Sequence, residues 1–142
     1  MYNTEAFAVG DCFYRVACDC VPDDFLDNEE DDGHWFLPHI VNLAFACELF
    51  LKSLLYKGNH AVRGHNLESL FLQLDEDIKE QIVNSKSFKG DEQFLSKIHK
   101  ISNCFCDWRY YFEHRNSIEV DVVFLEELAD ELSAVAEEHL PK

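Results

Sequence analysis

The chain has 142 residues, 47% of them hydrophobic, which is enough apolar material for one core, so we expect a single domain over residues 1–142. Its 28 acidic and 12 basic residues give a formal net charge of −16, which argues against DNA binding or a broad nucleic-acid surface, because phosphate binding draws on Lys and Arg. The sequence has neither a long uninterrupted apolar run nor the basic start of a signal peptide, which predicts a cytoplasmic protein that does not enter a membrane.

The first predicted helix is followed by a strongly acidic segment. Thr4 is a candidate N-cap for a helix that runs to about Val21 and ends at Pro22, with Gly10 weakening its middle. Residues 22–34 contain seven acidic side chains, so we interpret them as a solvated acidic loop. The sequence of this loop does not fit an EF-hand, because the twelfth position would be His39 instead of Glu.

The second predicted helix should be the most buried one. Pro38 stands near its start and Gly58 closes it. Between them, apolar residues recur at steps of four and three and form a stripe: Ile40, Ala44, Cys47, Leu51 and Leu54. Other apolar residues fill most of the remaining circumference. A third helical stretch begins at Asn66 as N-cap and is expected to kink or restart at Asp75 to Asp77.

The next stretch has the clearest helical pattern of the chain. After Gly90 and Asp91, apolar residues recur at steps of four and three over Phe94, Ile98, Ile101, Phe105, Trp108 and Phe112. A last helix begins at Asp121 as N-cap. Because no strand pattern of useful length is present, we predict an all-α fold, an antiparallel up-and-down bundle of four to five helices.

Six cysteines are present, and we expect them to be reduced, mostly buried thiols in a chain that does not need disulfides. They stand at Cys12, Cys18, Cys20, Cys47, Cys104 and Cys106. The two Cys-x-Cys pairs lack the spacing of zinc sites, because residues two apart on a helix point to different faces. We therefore expect no metal site and no cofactor.

Three motifs together resemble a known family. Glu48 and Lys52 form a Glu-x3-Lys pair in the buried helix, the turn into the next helix reads Gly64-His65-Asn66-Leu67-Glu68-Ser69-Leu70, and a later segment reads Trp108-Arg109-Tyr110-Tyr111-Phe112-Glu113. In these motifs the chain resembles the prokaryotic HEPN-like proteins over roughly Thr4 to Leu140. The resemblance implies a HEPN-like helical bundle.

The same resemblance suggests a catalytic function. Ribonuclease members of the family use Arg-x4-6-His, which Arg109 and His114 match, and their sites are usually composed across a two-fold homodimer. The implied activity is metal-independent endoribonuclease cleavage in a toxin or defence system, with an antitoxin as a candidate protein partner. His114 would act as general acid or base, Arg109 would hold the phosphate, and Tyr110 and Tyr111 would stack on bases.

A second, non-catalytic hypothesis is left open. Residues five apart on one helix differ by about 140° in direction, so Arg109 and His114 converge only if the helix ends near Glu113. Tyr110 also departs from the polar residue that active members tend to carry after the Arg. In this alternative the protein is a helical interaction or dimerisation module that does not act on RNA, and Arg109 forms a structural ion pair with Glu48.

Overall fold

The described part of the chain is built from helices. The computed structural model describes residues 2–22, 34–56, 62–109 and 120–141, and within them no strand is present. Their seven helices are α1 (Tyr2–Asp19), α2 (Phe36–Leu55), α3 (Leu67–Leu72), α4 (Glu76–Val83), α5 (Phe94–Ile101), α6 (Cys104–Arg109) and α7 (Val122–Glu138). The prediction of an all-α bundle is confirmed. The predicted acidic loop and the closing Gly58 lie outside the described residues, apart from Pro22 and His34 at the ends of that loop.

Two helix starts follow from side-chain caps that the sequence predicts. The side chain of Asn66 accepts a hydrogen bond from the Ser69 N–H at 2.9 Å, and that of Asp121 accepts one from the Phe124 N–H at 3.0 Å. The expected restart near Asp75 is also confirmed, because α4 begins at Glu76. The Thr4 cap is wrong, because α1 already begins at Tyr2.

The long helix predicted from Phe94 to Phe112 is interrupted at Ser102 and Asn103, so its stripe is divided between α5 and α6. Ser102 is buried, and its hydroxyl donates to the Ile98 carbonyl at 2.6 Å. The same hydroxyl accepts from the Glu68 N–H at 3.0 Å, and the Ser102 carbonyl accepts from the Leu67 N–H at 3.2 Å. The break thus satisfies two N–H groups at the start of α3, which periodicity alone does not reveal.

Helix α2 is the central element, as predicted. It packs against α1, α3, α6 and α7, and half of its 20 residues are buried. By length and composition it could also cross a membrane, but 56% of its apolar window is buried inside the bundle, as in the core helix of a globular protein. Its burial fixes the direction of every side chain that it presents at the bundle surface.

All six cysteines are free thiols. The expected burial holds for Cys47 and Cys104, whereas Cys12 and Cys18 are exposed. Burial raises the pKa of the Cys47 thiol. The pKa of the Cys104 thiol is raised to about 12, mainly by burial and to a smaller extent by the charge of Asp107. These two thiols therefore stay protonated at neutral pH and behave as small apolar core residues.

Candidate functional site

A buried carboxylate lies at the centre of the candidate site. Glu48 is on the inner side of α2 and is only 1% exposed. One turn later, Lys52 donates from Nζ to Glu48 Oε1 at 2.8 Å, and its own side chain is 12% exposed. The i, i+4 spacing within a rigid central helix places the two groups side by side. Charge on a buried carboxylate is tolerated only with such a partner.

A histidine outside α2 binds the same carboxylate oxygen. His65 Nδ1 lies 2.7 Å from Glu48 Oε1, while 58% of the His65 side chain is exposed. His65 reaches this position from the turn before α3, where Gly64 has a φ of +103° that an L side chain rarely adopts. Glu48 Oε2 is also buried, and it has no hydrogen-bond partner within the described residues. One oxygen of the Glu48 carboxyl group thus contacts both Lys52 and His65, and the other has no hydrogen-bond partner among the described residues.

An aromatic ring connects this cluster to Arg109. In α6, Phe105 stacks on Phe45 of α2 with ring centroids 4.6 Å apart, and the His65 ring centroid is 6.1 Å from that of Phe105. The guanidinium carbon of Arg109 lies 4.6 Å from the Phe105 centroid, at the i, i+4 position of the same helix. His65 and Arg109 thus both lie against one ring.

We call Lys52, His65 and Arg109, together with Glu48 and Phe105, the cationic patch. Two of its basic side chains, Lys52 and His65, contact the buried Glu48, and the third, Arg109, lies over the neighbouring Phe105 ring, in a chain whose net charge is −16. An exposed guanidinium such as that of Arg109 can bind a phosphate through two parallel N–H groups. The patch therefore offers the local phosphate contact that the overall charge does not.

The structure places some of the predicted site residues and not others. Arg109 is exposed at the end of α6. His114, Tyr110 and Tyr111 lie outside the described residues, so the expected convergence of Arg109 and His114 stays a prediction. The ion pairs that the structure gives Glu48 are with Lys52 and His65. A pair between Glu48 and Arg109 likewise stays a prediction.

Sequence reasoning missed the role of His65. From sequence alone this side chain had no assigned role, but in the structure its Nδ1 lies 2.7 Å from Oε1 of Glu48, 17 residues earlier. The family resemblance already drew attention to these residues, because its motifs include Glu48, Lys52 and the Gly64-His65 turn. The sequence does not show that this turn packs against α2, and it is this packing that brings the two motifs together.

Within the described residues, no group of three or more His, Cys, Asp or Glu side chains could hold a metal ion. Comparison of the chain with protein-family models, curated proteins and solved structures finds no match. Membership of the HEPN-like family therefore stays a prediction, and function has to be argued from the chemistry of the cationic patch.

Proposed function

We propose that the protein is a HEPN-like endoribonuclease that binds RNA through a backbone phosphate at the cationic patch and cleaves it without a metal ion. The observation that carries this proposal is that Lys52 and His65 bind the buried Glu48 while His65 and Arg109 both lie against the Phe105 ring. Of the four arginines in the chain, Arg109 is the one in the predicted Arg-x4-His motif. The all-α fold and the cationic patch are compatible with the predicted function.

Arg109 would bind and stabilise the reacting phosphate. Its guanidinium presents parallel N–H donors that match two phosphate oxygens, and these hydrogen bonds strengthen as negative charge develops in the transition state. Lys52 is almost fully covered and donates to Glu48, so it acts on the electrostatics of the patch instead of touching RNA. Positive charge near the phosphate is thus supplied by the chain itself.

His65 has the geometry of a general base. In the tautomer that donates from Nδ1–H to the Glu48 carboxylate, the imidazole carries its lone pair on Nε2, which no described residue bonds. In the proposed step Nε2 takes the proton of a ribose 2′-hydroxyl, O2′ bonds to phosphorus, and the bond from phosphorus to O5′ breaks. The leaving O5′ takes a proton from the acid, for which His114 is the predicted group. The products are a 2′,3′-cyclic phosphate and a 5′-hydroxyl.

The proposal includes a homodimer. The predicted two-fold arrangement would bring two Arg109 side chains to one RNA-binding cleft and double the local positive charge. Light scattering of the purified chain measures this directly, and a dimer is the expected result. A cytoplasmic location, a role as toxin or defence effector and a protein partner such as an antitoxin belong to the same proposal.

The decisive experiment is cleavage of single-stranded RNA by the purified chain in excess EDTA. We expect a 2′,3′-cyclic phosphate product, no cleavage of the 2′-deoxy analogue, and a rate lower by about 100-fold or more for Arg109→Ala. His65→Asn should lower the rate by about 100-fold or more. Arg15→Ala is the matched control, because Arg15 is exposed on α1 and pairs only with Asp11 at 3.0 Å among the described residues.

Equal cleavage by all preparations would indicate a contaminating nuclease, and no cleavage by the wild type would leave the non-catalytic interaction module as the better hypothesis. A cellular version of the test compares growth on expression of the wild type, Arg109→Ala and His114→Ala. Growth arrest that disappears in both variants, with their folding intact, supports a toxin. An unchanged growth phenotype in both folded variants contradicts it.

A further inference from the structure

A second surface, with no residue in common with the cationic patch, has the opposite charge. Helices α3, α4 and α5 enclose a cleft of about 390 Å³. Its floor is apolar, because Phe71 and Phe94 line it and each is only 2% exposed. The volume is in the range of sites that take the side chains of a bound peptide or a small ligand.

Two leucines at this cleft are unusually exposed. Leu72 is 52% exposed and Leu95 is 53% exposed, and both line the cleft. A single exposed Leu on a convex surface needs no explanation, but two beside an apolar concave floor form a continuous apolar surface. We call this cleft with its two leucines the acidic groove, because of the charges described next.

The rim of the groove is negatively charged. Four carboxylates and one ammonium line it, so the lining carries a net charge of −3: Glu76, Glu80, Asp91, Glu92 and Lys79. Lys79 is bound to Glu76 at 2.6 Å, and Asp91 is bound to Lys97 at 2.8 Å. Glu80 and Glu92 have no ion-pair partner within the described residues. Two carboxylates at the rim are therefore available to a cationic ligand.

This charge decides between classes of occupant. RNA or an anionic lipid surface would be repelled by the rim, and a second copy of a chain with a net charge of −16 would bring further negative charge. A segment with apolar anchors and Lys or Arg beside them would bury Leu72 and Leu95 and pair with Glu80 and Glu92. We propose that the acidic groove binds an amphipathic helix of a partner protein that presents apolar side chains at helical spacing flanked by Lys or Arg.

The experiment is selection of displayed peptides of about 16 residues on the immobilised full-length chain, with counter-selection on Leu72→Lys/Leu95→Lys. Enriched peptides should carry apolar residues three or four apart and an excess of Lys and Arg. As synthetic peptides they should bind the variant at least about 10-fold more weakly than the wild type. Glu80→Gln/Glu92→Gln should weaken binding by about 3-fold to 10-fold and reduce its salt dependence.

Val9→Lys/Val123→Lys is the matched control, because both valines are exposed and neither lines the groove. It should leave peptide affinity unchanged. The leucine variant should also keep the wild-type thermal unfolding curve, since both side chains are more than half exposed. The inference is overturned if no enrichment depends on the two leucines, or if the enriched peptides carry no positive charge. It is also overturned if light scattering shows a wild-type dimer that Leu72→Lys/Leu95→Lys converts to a monomer, because the occupant is then a second copy.

Discussion

Gly10 in α1 and Leu49 in α2 lie so close that a Cβ atom on Gly10 would be 3.1 Å from Cβ of Leu49. The same atom would be 3.1 Å from the Phe50 ring. Because the Cβ of Leu49 is fixed to its backbone, it cannot move aside without shifting α2. The glycine therefore permits the close packing of α1 on the central helix.

Gly10→Ala should destabilise the protein, although alanine favours helix formation over glycine by about 1 kcal/mol. Overpacking a tight contact costs about 1 to 3 kcal/mol, so we expect a net loss of about 1 kcal/mol in the free energy of unfolding. Urea unfolding followed by circular dichroism measures it. Ser96→Ala, at an exposed position of α5, is the control and should not destabilise. A more stable Gly10→Ala protein would show that α1 and α2 separate at little cost.

Gly10 also illustrates what the sequence could and could not predict. From sequence it was only a weak point in a helix, because its value lies in a contact with a residue 39 positions later. The helices themselves, the Asn66 and Asp121 caps and the buried position of α2 were predictable, since period and capping are local properties. The break at Ser102 was not, because it depends on hydrogen bonds to α3.

In the candidate site, too, local contacts were predictable from sequence and contacts between distant segments were not. Glu48 and Lys52 are one helical turn apart, so their pairing is predictable from spacing alone. The contact of His65 with Glu48 requires knowledge of how the turn at Gly64 packs against α2. The Phe105 ring was expected in one continuous core stripe, but the helix break leaves it half-buried between Phe45 and Arg109.

Removing the charge of Glu48 should destabilise the bundle. Glu48→Gln leaves Lys52 nearly covered and without its carboxylate, and breaking such a buried pair costs about 3 to 5 kcal/mol. Glu48→Gln/Lys52→Met should recover part of that loss, because it no longer leaves a buried charge unpaired. Chemical unfolding of the single and double variants measures the coupling.

The matched control is Glu76→Gln, which removes the carboxylate of another lysine pair on a helix surface. Glu76 is 85% exposed on its side chain, so this change should cost at most about 1 kcal/mol. Equal losses for Glu48→Gln and Glu76→Gln would contradict a buried, structurally coupled carboxylate at the cationic patch.

Asp91 should make stability depend on pH in the acid range. A hydrogen bond from Lys97, and then one from the Gln93 N–H, lower the pKa of Asp91 below its ordinary value of 3.8. A carboxyl whose pKa is lower in the folded protein stabilises it fully above the unfolded pKa, and this contribution is lost as pH falls through the folded pKa. The wild type should therefore be more stable than Asp91→Asn above about pH 4, with the difference shrinking at lower pH.

The measurement is the free energy of unfolding against pH for both proteins, repeated in a Lys97→Met background. Without the Lys97 ammonium the effect of Asp91→Asn should become smaller, because the first cause of the lowered pKa is gone. Parallel curves for wild type and Asp91→Asn down to the lowest pH would contradict the assignment.

The cysteines should react with iodoacetamide in an order set by exposure and pKa. At about pH 8, Cys12 should react first because it is exposed, and thiolate is the reacting form. Cys18 is also exposed but should be slower, because partial burial and then the charge of Asp130 raise its pKa. Cys47 and Cys104 are buried and keep their protons, so they should react only at the rate at which the bundle opens.

Pulse labelling with mass spectrometry of the peptides measures all four rates in one sample, and labelling in concentrated urea is the control that removes protection. Asp130→Asn should speed the reaction of Cys18 and leave Cys12 unchanged, because it removes one of the charges that raise the Cys18 pKa. The same substitution weakens the acceptor of the Tyr14 hydroxyl, so the unfolding curve of the variant has to be compared with that of the wild type. If Cys18 is labelled faster and the rate for Cys47 is unchanged, the loss of the Asp130 charge is the cause. If both cysteines are labelled faster, the cause is opening of the contact between α1 and α7.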